Sequence, residues 1–133
     1  MPSRRSDRGR KAERRGRRGE TWAVTLLVLK GYRILGRRVR TPMGEIDLVA
    51  RSPGGAVCFV EVKARPEGLM AAEAVGPRQK ARIARAAALY LAGRPGLAGK
   101  GVRFDIMTVA PGRLPRHLRD AWRPDDLLGD LMR

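Results

Sequence analysis

Apolar and polar positions along this chain fall into blocks whose period changes from one block to the next. Between Glu20 and Lys30 nearly every side chain is apolar, and Gly31 follows. A helix is the expectation, with Glu20 in its first turn, where a carboxylate suits the helix dipole, and Gly31 as its C-cap. On a helix Glu20, Ala23, Val24 and Leu27 share one face. The block is also rich in β-branched residues, so a strand stays open. Tyr32 to Arg40 reads as a first strand, broken by Thr41-Pro42-Met43-Gly44. Ile46 to Arg51 and Ala56 to Ala64 read as the next two, joined through the turn formers Ser52-Pro53-Gly54-Gly55. Arg65 to Gly76 has little pattern, with room for a helical turn over Leu69 to Val75. Pro77 to Ala92 is the clearest helix: Pro77 fits its first turn, alanines fill its interior, Gly93 caps it and Pro95 prevents continuation. Its stripes are Gln79, Ile83, Ala86 and Tyr90; then Lys80, Ala84, Ala87 and Leu91; then a basic row of Arg78, Arg82 and Arg85. Gly101 to Val109 gives a fourth strand, with Phe104, Ile106 and Thr108 alternating against Asp105, Met107 and Val109. Beyond Pro111 the chain reads as a Pro-, Arg- and Asp-rich tail in which Leu118, Trp122 and Leu127 to Leu131 dock weakly. No internal repeat is visible. Helix, three strands, helix, strand predicts an α/β (α+β) fold, a mixed sheet flanked by helices.

Length adds a single-domain expectation, since 133 residues can bury a core without staples. Charge changes the picture more. Lys and Arg number 29 against 13 Asp and Glu, a formal net charge of +16. That balance favours an anionic polymer as partner, nucleic acid ahead of a membrane surface. A basic protein that merely stays soluble is the plain alternative. Residues 1–18 carry most of the early Arg and almost no large apolar side chain, so they read as a disordered arm preceding one domain over 19–133. The arm either binds phosphates without sequence preference or is a solvated tail. A single cysteine, Cys58, excludes an internal disulfide, and with a single histidine the usual Cys/His zinc site is excluded too. Cys58 reads as a small buried hydrophobe in a strand. No apolar run approaches the roughly 20 residues that span a bilayer, and the charged start lacks the apolar region of a secretory signal. A cytoplasmic location is the expectation.

The apolar strands contain charges in mid-run. Asp47 interrupts Gly44-Glu45-Ile46-Asp47-Leu48-Val49-Ala50, and Glu61 and Lys63 interrupt Val57-Cys58-Phe59-Val60-Glu61-Val62-Lys63. Alternation puts Phe59, Glu61 and Lys63 on one face and Cys58, Val60 and Val62 on the other. A hairpin would set Asp47 beside Glu61 and Lys63. Two hard carboxylates suit a magnesium ion that keeps several waters, with the Val62 carbonyl as a further oxygen. A lysine beside them can position a water or stabilise charge on a phosphate. Glu20 could support a ligand or a second metal. The alternative is a surface hairpin with a Glu/Lys face, and Glu-x-Lys alone is common. Unpaired charge inside a strand covered on both faces is costly, which favours a site. Glu45 is secondary. His117, among Arg116 and Arg119, reads as solvated or phosphate-touching rather than as a catalytic base.

Gly-Glu-Ile-Asp-Leu-Val-Ala at 44–50 and Phe-Val-Glu-Val-Lys-Ala-Arg at 59–65 together resemble the YraN family of predicted endonucleases. Gly19-Glu20 opening a helix, Gly31-Tyr32-Arg33-Ile34-Leu35 after it, Lys80, Arg103-Phe104-Asp105 and an Ala121-Trp122 end fit the same pattern. The resemblance covers about residues 19–109, and the Arg-rich arm lies outside it. It implies a restriction-endonuclease-like core of the PD-(D/E)xK superfamily, similar to Holliday junction resolvases. Asp47 then matches the motif aspartate, Glu61 and Lys63 the acid and lysine, and Glu20 the helix-borne glutamate of resolvase-like members. The proline usual before the aspartate is missing here. Lys80 matches a basic position that contacts DNA.

The expectation is a Mg2+- or Mn2+-dependent endonuclease acting on DNA, branched DNA included, with Glu20, Asp47 and Glu61 holding metal and Lys63 assisting. Arg65, Arg78, Gln79, Lys80, Arg82 and Arg85 are candidates for holding the nucleic acid, DNA ahead of RNA. Resolvase likeness adds a homodimer. The competing readings are a noncatalytic DNA- or RNA-binding module that keeps the fold, and an adaptor that docks through the arm.

Overall fold

The structure is a computed structural model that describes residues 19–64 and 75–124. The Arg-rich arm, Arg65, the turn expected before Val75 and the apolar residues 127–131 lie outside the described residues. Helix α1 (residues 19–29) leads into strands β1 (Arg33–Thr41), β2 (Gly44–Arg51) and β3 (Val57–Ala64). Helix α2 (Pro77–Ala92), β4 (Val102–Val109) and β5 (Arg116–Trp122) follow. The mixed α/β fold expected from the periodicities is present, a five-stranded mixed sheet flanked by two helices.

The strands lie in sequence order, β1-β2-β3-β4-β5. All neighbours are antiparallel except β3 and β4, which run parallel over Val57↔Val102 to Ala64↔Val109. Parallel neighbours need a crossover, and the connection containing α2 supplies it. Each helix then covers one face of the sheet. On the α1 side Ala23 and Leu27 pack with Tyr32, Leu48, Ala50, Cys58, Val60 and Met107. On the α2 side Ile83, Ala86, Ala87 and Tyr90 pack with Ile46, Val49, Val57, Phe59, Phe104, Ile106 and Trp122. Strand β3 is therefore covered on both faces, which is why Val57 to Val60 reads as an unbroken apolar run. The α1 face carries Glu20, Ala23, Val24 and Leu27 as the helical period predicts, and Cys58 is buried.

Two irregularities on β1 and β2 shape the sheet near its β2 end. The β2–β3 ladder registers Leu48 with Val60 and goes no further toward the start of β2. There the strands part. Strict alternation also breaks at this point, since Ile46 packs on the α2 side and Leu48 on the α1 side. Across β1, Arg37 pairs with Leu48 and Val39 with Ile46, so Arg38 holds the register position of Asp47. Arg38 has a left-handed backbone, φ 49°. A non-glycine residue adopts that conformation only when its surroundings enforce it.

Strand β5 lies where the sequence reads as a tail. It pairs with β4 through Thr108↔Arg116, Met107↔His117, Ile106↔Leu118 and Phe104↔Trp122, with a register shift before the last pair. Asp120 sits at φ 51° beside that shift. The bulge turns successive side chains out of the period-two pattern, so Arg116 to Trp122 shows no clean alternation to read.

Candidate functional site

The site forms where β2 and β3 part. With the ladder ended, the Val62 N–H has no β2 carbonyl to meet, and Asp47 takes its place: Val62 N–H donates to Asp47 Oδ2 at 2.9 Å. A buried backbone donor would otherwise go unpaired, at about the free-energy cost of a hydrogen bond. Val62 thus meets Asp47 through its amide hydrogen. Glu61, 7% exposed, stands next to Asp47 on β3. Its Oε1 accepts from Gln79 Nε2 at 2.7 Å and faces Lys63 Nζ at 3.3 Å. Strand alternation puts Glu61 and Lys63 on the face that α2 covers, and α2 delivers Gln79 to it.

The carboxylates resist ionisation. Burial pushes Glu61 up to about 7, the Asp47 charge adds to that, and Lys63 opposes it. Asp47 is also raised, first by burial and further by the Glu20 charge, against the Val62 amide and Lys63. Two neighbouring carboxyls away from water hold a proton longer than isolated ones do, because both cannot ionise freely. A divalent cation relieves the same repulsion, and hard carboxylate oxygens suit Mg2+ or Mn2+. The donor set of Asp47 and Glu61 therefore fits such an ion.

Glu20 stands apart from that pair. Its Oε2 accepts from Arg38 Nε at 2.9 Å, with the Glu20 side chain 12% exposed and that of Arg38 40%. It is close enough for its charge to raise Asp47. Among the described residues no three His, Cys, Asp or Glu side chains gather at metal-holding distance. The structure thus unites Asp47, Glu61 and Lys63 and leaves the expected third acid on an arginine. A cavity of about 370 Å3 lined by Glu20, Thr21, Arg37 and Arg38 opens there. Glu45 forms only a long surface pair with Arg40, 3.8 Å.

Of the candidate nucleic-acid contacts, Arg78, Arg82 and Arg85 form an exposed row on α2, with Lys80 half-buried beside it. The Arg82 stem crosses the start of β2, where a Cβ on Gly44 would come within 2.9 Å of its Cδ. Gln79, half-buried on α2, is hydrogen-bonded to Glu61. Arg65 lies outside the described residues.

A second polar cluster escaped the sequence. Asp105 of β4 is fully buried and accepts from Arg103 Nε at 2.9 Å, Arg103 Nη2 at 2.8 Å and the Asp120 N–H at 3.0 Å. His117 Nε2 lies 2.7 Å from its Oδ2, and Lys30 Nζ lies 2.8 Å from His117 Nδ1. Arg103 also donates to the Tyr32 hydroxyl. Burial pushes Asp105 up, but the hydrogen bonds from His117, Arg103 and Asp120 outweigh it and hold the carboxyl below its usual range. The histidine read as solvated or phosphate-touching thus has a side chain 2% exposed and fastens β5 to β4. Only the mid-strand aspartate could have signalled this, because His117 and Asp120 come from β5, and Lys30 and Tyr32, which extend the cluster, come from the end of α1 and the turn after it. A cavity of about 670 Å3 between α2, β4 and β5 has neither carboxylate of the pair in its lining, which is mainly small and apolar groups around Lys100, Arg103, Asp120 and Arg123.

Fold and site together define a mixed α/β protein built around a buried carboxylate pair and a lysine at the parting of two strands. The chain belongs to the Uncharacterised protein family UPF0102, whose profile its residues 19–109 match. A UPF0102 protein of Parvibaculum lavamentivorans is 57% identical over 116 residues, 87% of this chain and 86% of its own. Those of Maricaulis maris and Paramagnetospirillum magneticum are 50% and 52% identical over 92% and 86% of this chain, and 96% and 91% of their own. The matched span includes every residue of the carboxylate site and both helices.

Proposed function

We propose that this chain is a divalent-metal-dependent endonuclease of the YraN type that hydrolyses phosphodiester bonds in DNA, branched DNA included. The observation that carries the reading is the buried Asp47–Glu61 pair with Lys63 Nζ 3.3 Å from Glu61. Two carboxylates kept together against their own repulsion make sense where a cation replaces the proton they share. Asp47 and Glu61 would hold Mg2+ or Mn2+, which when bound supplies Lewis-acid charge at the scissile phosphate. The protein groups do the rest. Lys63 donates to a phosphate oxygen and orients the attacking water, so that a P–O bond forms to water as the bond to the leaving sugar oxygen breaks. Gln79 fixes Glu61 from α2, and the Val62 amide fixes Asp47, so neither carboxylate has to reorganise. Arg78, Arg82 and Arg85 lie along the backbone of the substrate. The sequence resemblance and the net charge of +16 support the same reading.

The test uses purified protein with labelled four-way junction, flap, single-stranded and duplex DNA, and RNA, each with and without Mg2+ or Mn2+. Asp47→Asn and Lys63→Ala run beside the wild type. Asparagine keeps an oxygen for the Val62 amide, so the fold survives while a ligand charge is removed. Cleavage that needs metal and falls at least about 100-fold in both variants is the expected result. Binding without cleavage under every metal would replace this reading with the noncatalytic module.

A further inference from the structure

The Arg38–Glu20 pair is an odd contact for a buried acid so near Asp47. Arg38 reaches it from a left-handed backbone, φ 49°, at the register position of Asp47. The arginine is 40% exposed and the acid 12%, so ligands in solvent meet Arg38 first. The cavity they border, about 370 Å3, also has Arg37 and Thr21 on its wall. Arg37 is exposed. Two guanidinium groups around a small cavity suit a phosphodiester, whose oxygens match the planar fork.

Resting on the nuclease reading, we infer that this cavity is a backbone-phosphate site that works by exchange. A phosphate of the nucleic acid takes Arg38, and the released Glu20 turns to join Asp47 and Glu61 around the cation. Each half follows from charge. Glu20 without Arg38 is a mostly buried carboxylate that lacks a counter-charge, a costly state. Its neighbours Asp47 and Glu61 already repel one another, so a third acid is admitted only with a divalent ion. Phosphate and cation binding are therefore linked, and each tightens the other by the same factor. With no nucleic acid present, Arg38 keeps the third ligand away and the cation site stays weak.

Mn2+ affinity, followed by the paramagnetic resonance of free Mn2+, tests the exchange without any turnover. The proteins are wild type, Arg38→Ala, Arg38→Gly, Arg37→Ala, Glu20→Gln, Arg38→Ala/Glu20→Gln and Asp47→Asn. Glycine adopts the left-handed backbone freely, so Arg38→Gly guards against a fold destroyed by strain. Without nucleic acid, either Arg38 variant should bind Mn2+ about tenfold more tightly than wild type. Adding Glu20→Gln should cancel that gain, and Arg37→Ala, which removes the same charge from the same cavity, should show little of it. A short phosphodiester oligonucleotide should tighten Mn2+ on the wild type, and its uncharged methylphosphonate analogue should not. If the Arg38 variants bind Mn2+ no better than Arg37→Ala, or if the gain survives Glu20→Gln, the exchange is overturned while the cation site stands. If Asp47→Asn leaves Mn2+ binding unchanged, the cation site itself is overturned, and with it the nuclease reading.

Discussion

A single residue, Glu61, ties the chemistry of the site to the stability of the fold. Its folded pKa of about 7 lies above the ordinary value of 4.5, so the folded state binds its proton more tightly than the unfolded chain does. The stabilising contribution is therefore complete below about pH 4.5 and fades as pH rises toward 7. Thermal or urea unfolding between those limits should show wild type losing on the order of 1–3 kcal/mol relative to Glu61→Gln, with the difference levelling off above the folded pKa. Mg2+ or Mn2+ should restore part of the loss at pH 8, because it binds the ionised pair. A flat difference across that range would mean that the proton is not held. At this scale Asp47, Glu61 and Lys63 were legible because each is a charge inside an apolar strand. Arg38 was not, being one of several arginines on β1 whose backbone strain no composition reveals. His117 was misread for a similar reason: flanking arginines suggested solvent, and the buried Asp105 that captures it comes from another strand.

Among the elements, the first four strands and α2 were legible mainly because turn formers bound them, while the nearly all-apolar α1 block left a strand open beside the helix. Strand β5 was not, because its bulge at Asp120 scrambles the alternation. What binds β5 is a handful of specific side chains rather than a pattern. Trp122 is 5% exposed and its ring lies 4.3 Å from that of Phe104, while Leu118 on the same strand is 36% exposed. Trp122→Ala should therefore cost about 3 kcal/mol and Leu118→Ala less than about 1 kcal/mol, measured by urea denaturation. Equal losses would show that β5 is held mainly by its backbone ladder. The end of the β2–β3 ladder at Leu48 is the other feature that pattern alone could not place. Alternation brought Asp47 near Glu61, but the parting of the strands is what turns Asp47 toward the Val62 amide.

For the whole molecule, the charge balance of +16 and the exposed row on α2 set how binding should respond to salt. Replacing Arg78, Arg82 and Arg85 together by Gln should lower the slope of log affinity against log salt by up to about 3 on duplex DNA, roughly 0.9 for each phosphate no longer neutralised. An unchanged slope in a binding titration would move the backbone-binding surface off α2. The arm over residues 1–18 and the single-domain organisation remain expectations of the sequence, and among the described residues no helix is long and apolar enough to cross a membrane.

The strand order has a consequence for how the molecule assembles. Strands β1, β2 and β3 form a meander of neighbours in sequence, whereas β4 can join β3 only after the crossover through α2 has closed. Closing a long loop costs entropy before its contacts repay it, so local pairings come first. Asp47 and Glu61 both belong to the early meander, while Gln79 arrives with the crossover. The two acids thus come together before the helix that shields them does, and folding at high pH should be slowed by their repulsion. Pulse-labelled hydrogen exchange during refolding should protect Val49 and Val60 amides before those of Phe104 and Ile106, and the refolding rate should fall between pH 5 and 8 in wild type but not in Glu61→Gln. Protection of all four at one rate would mean that the sheet closes as a unit.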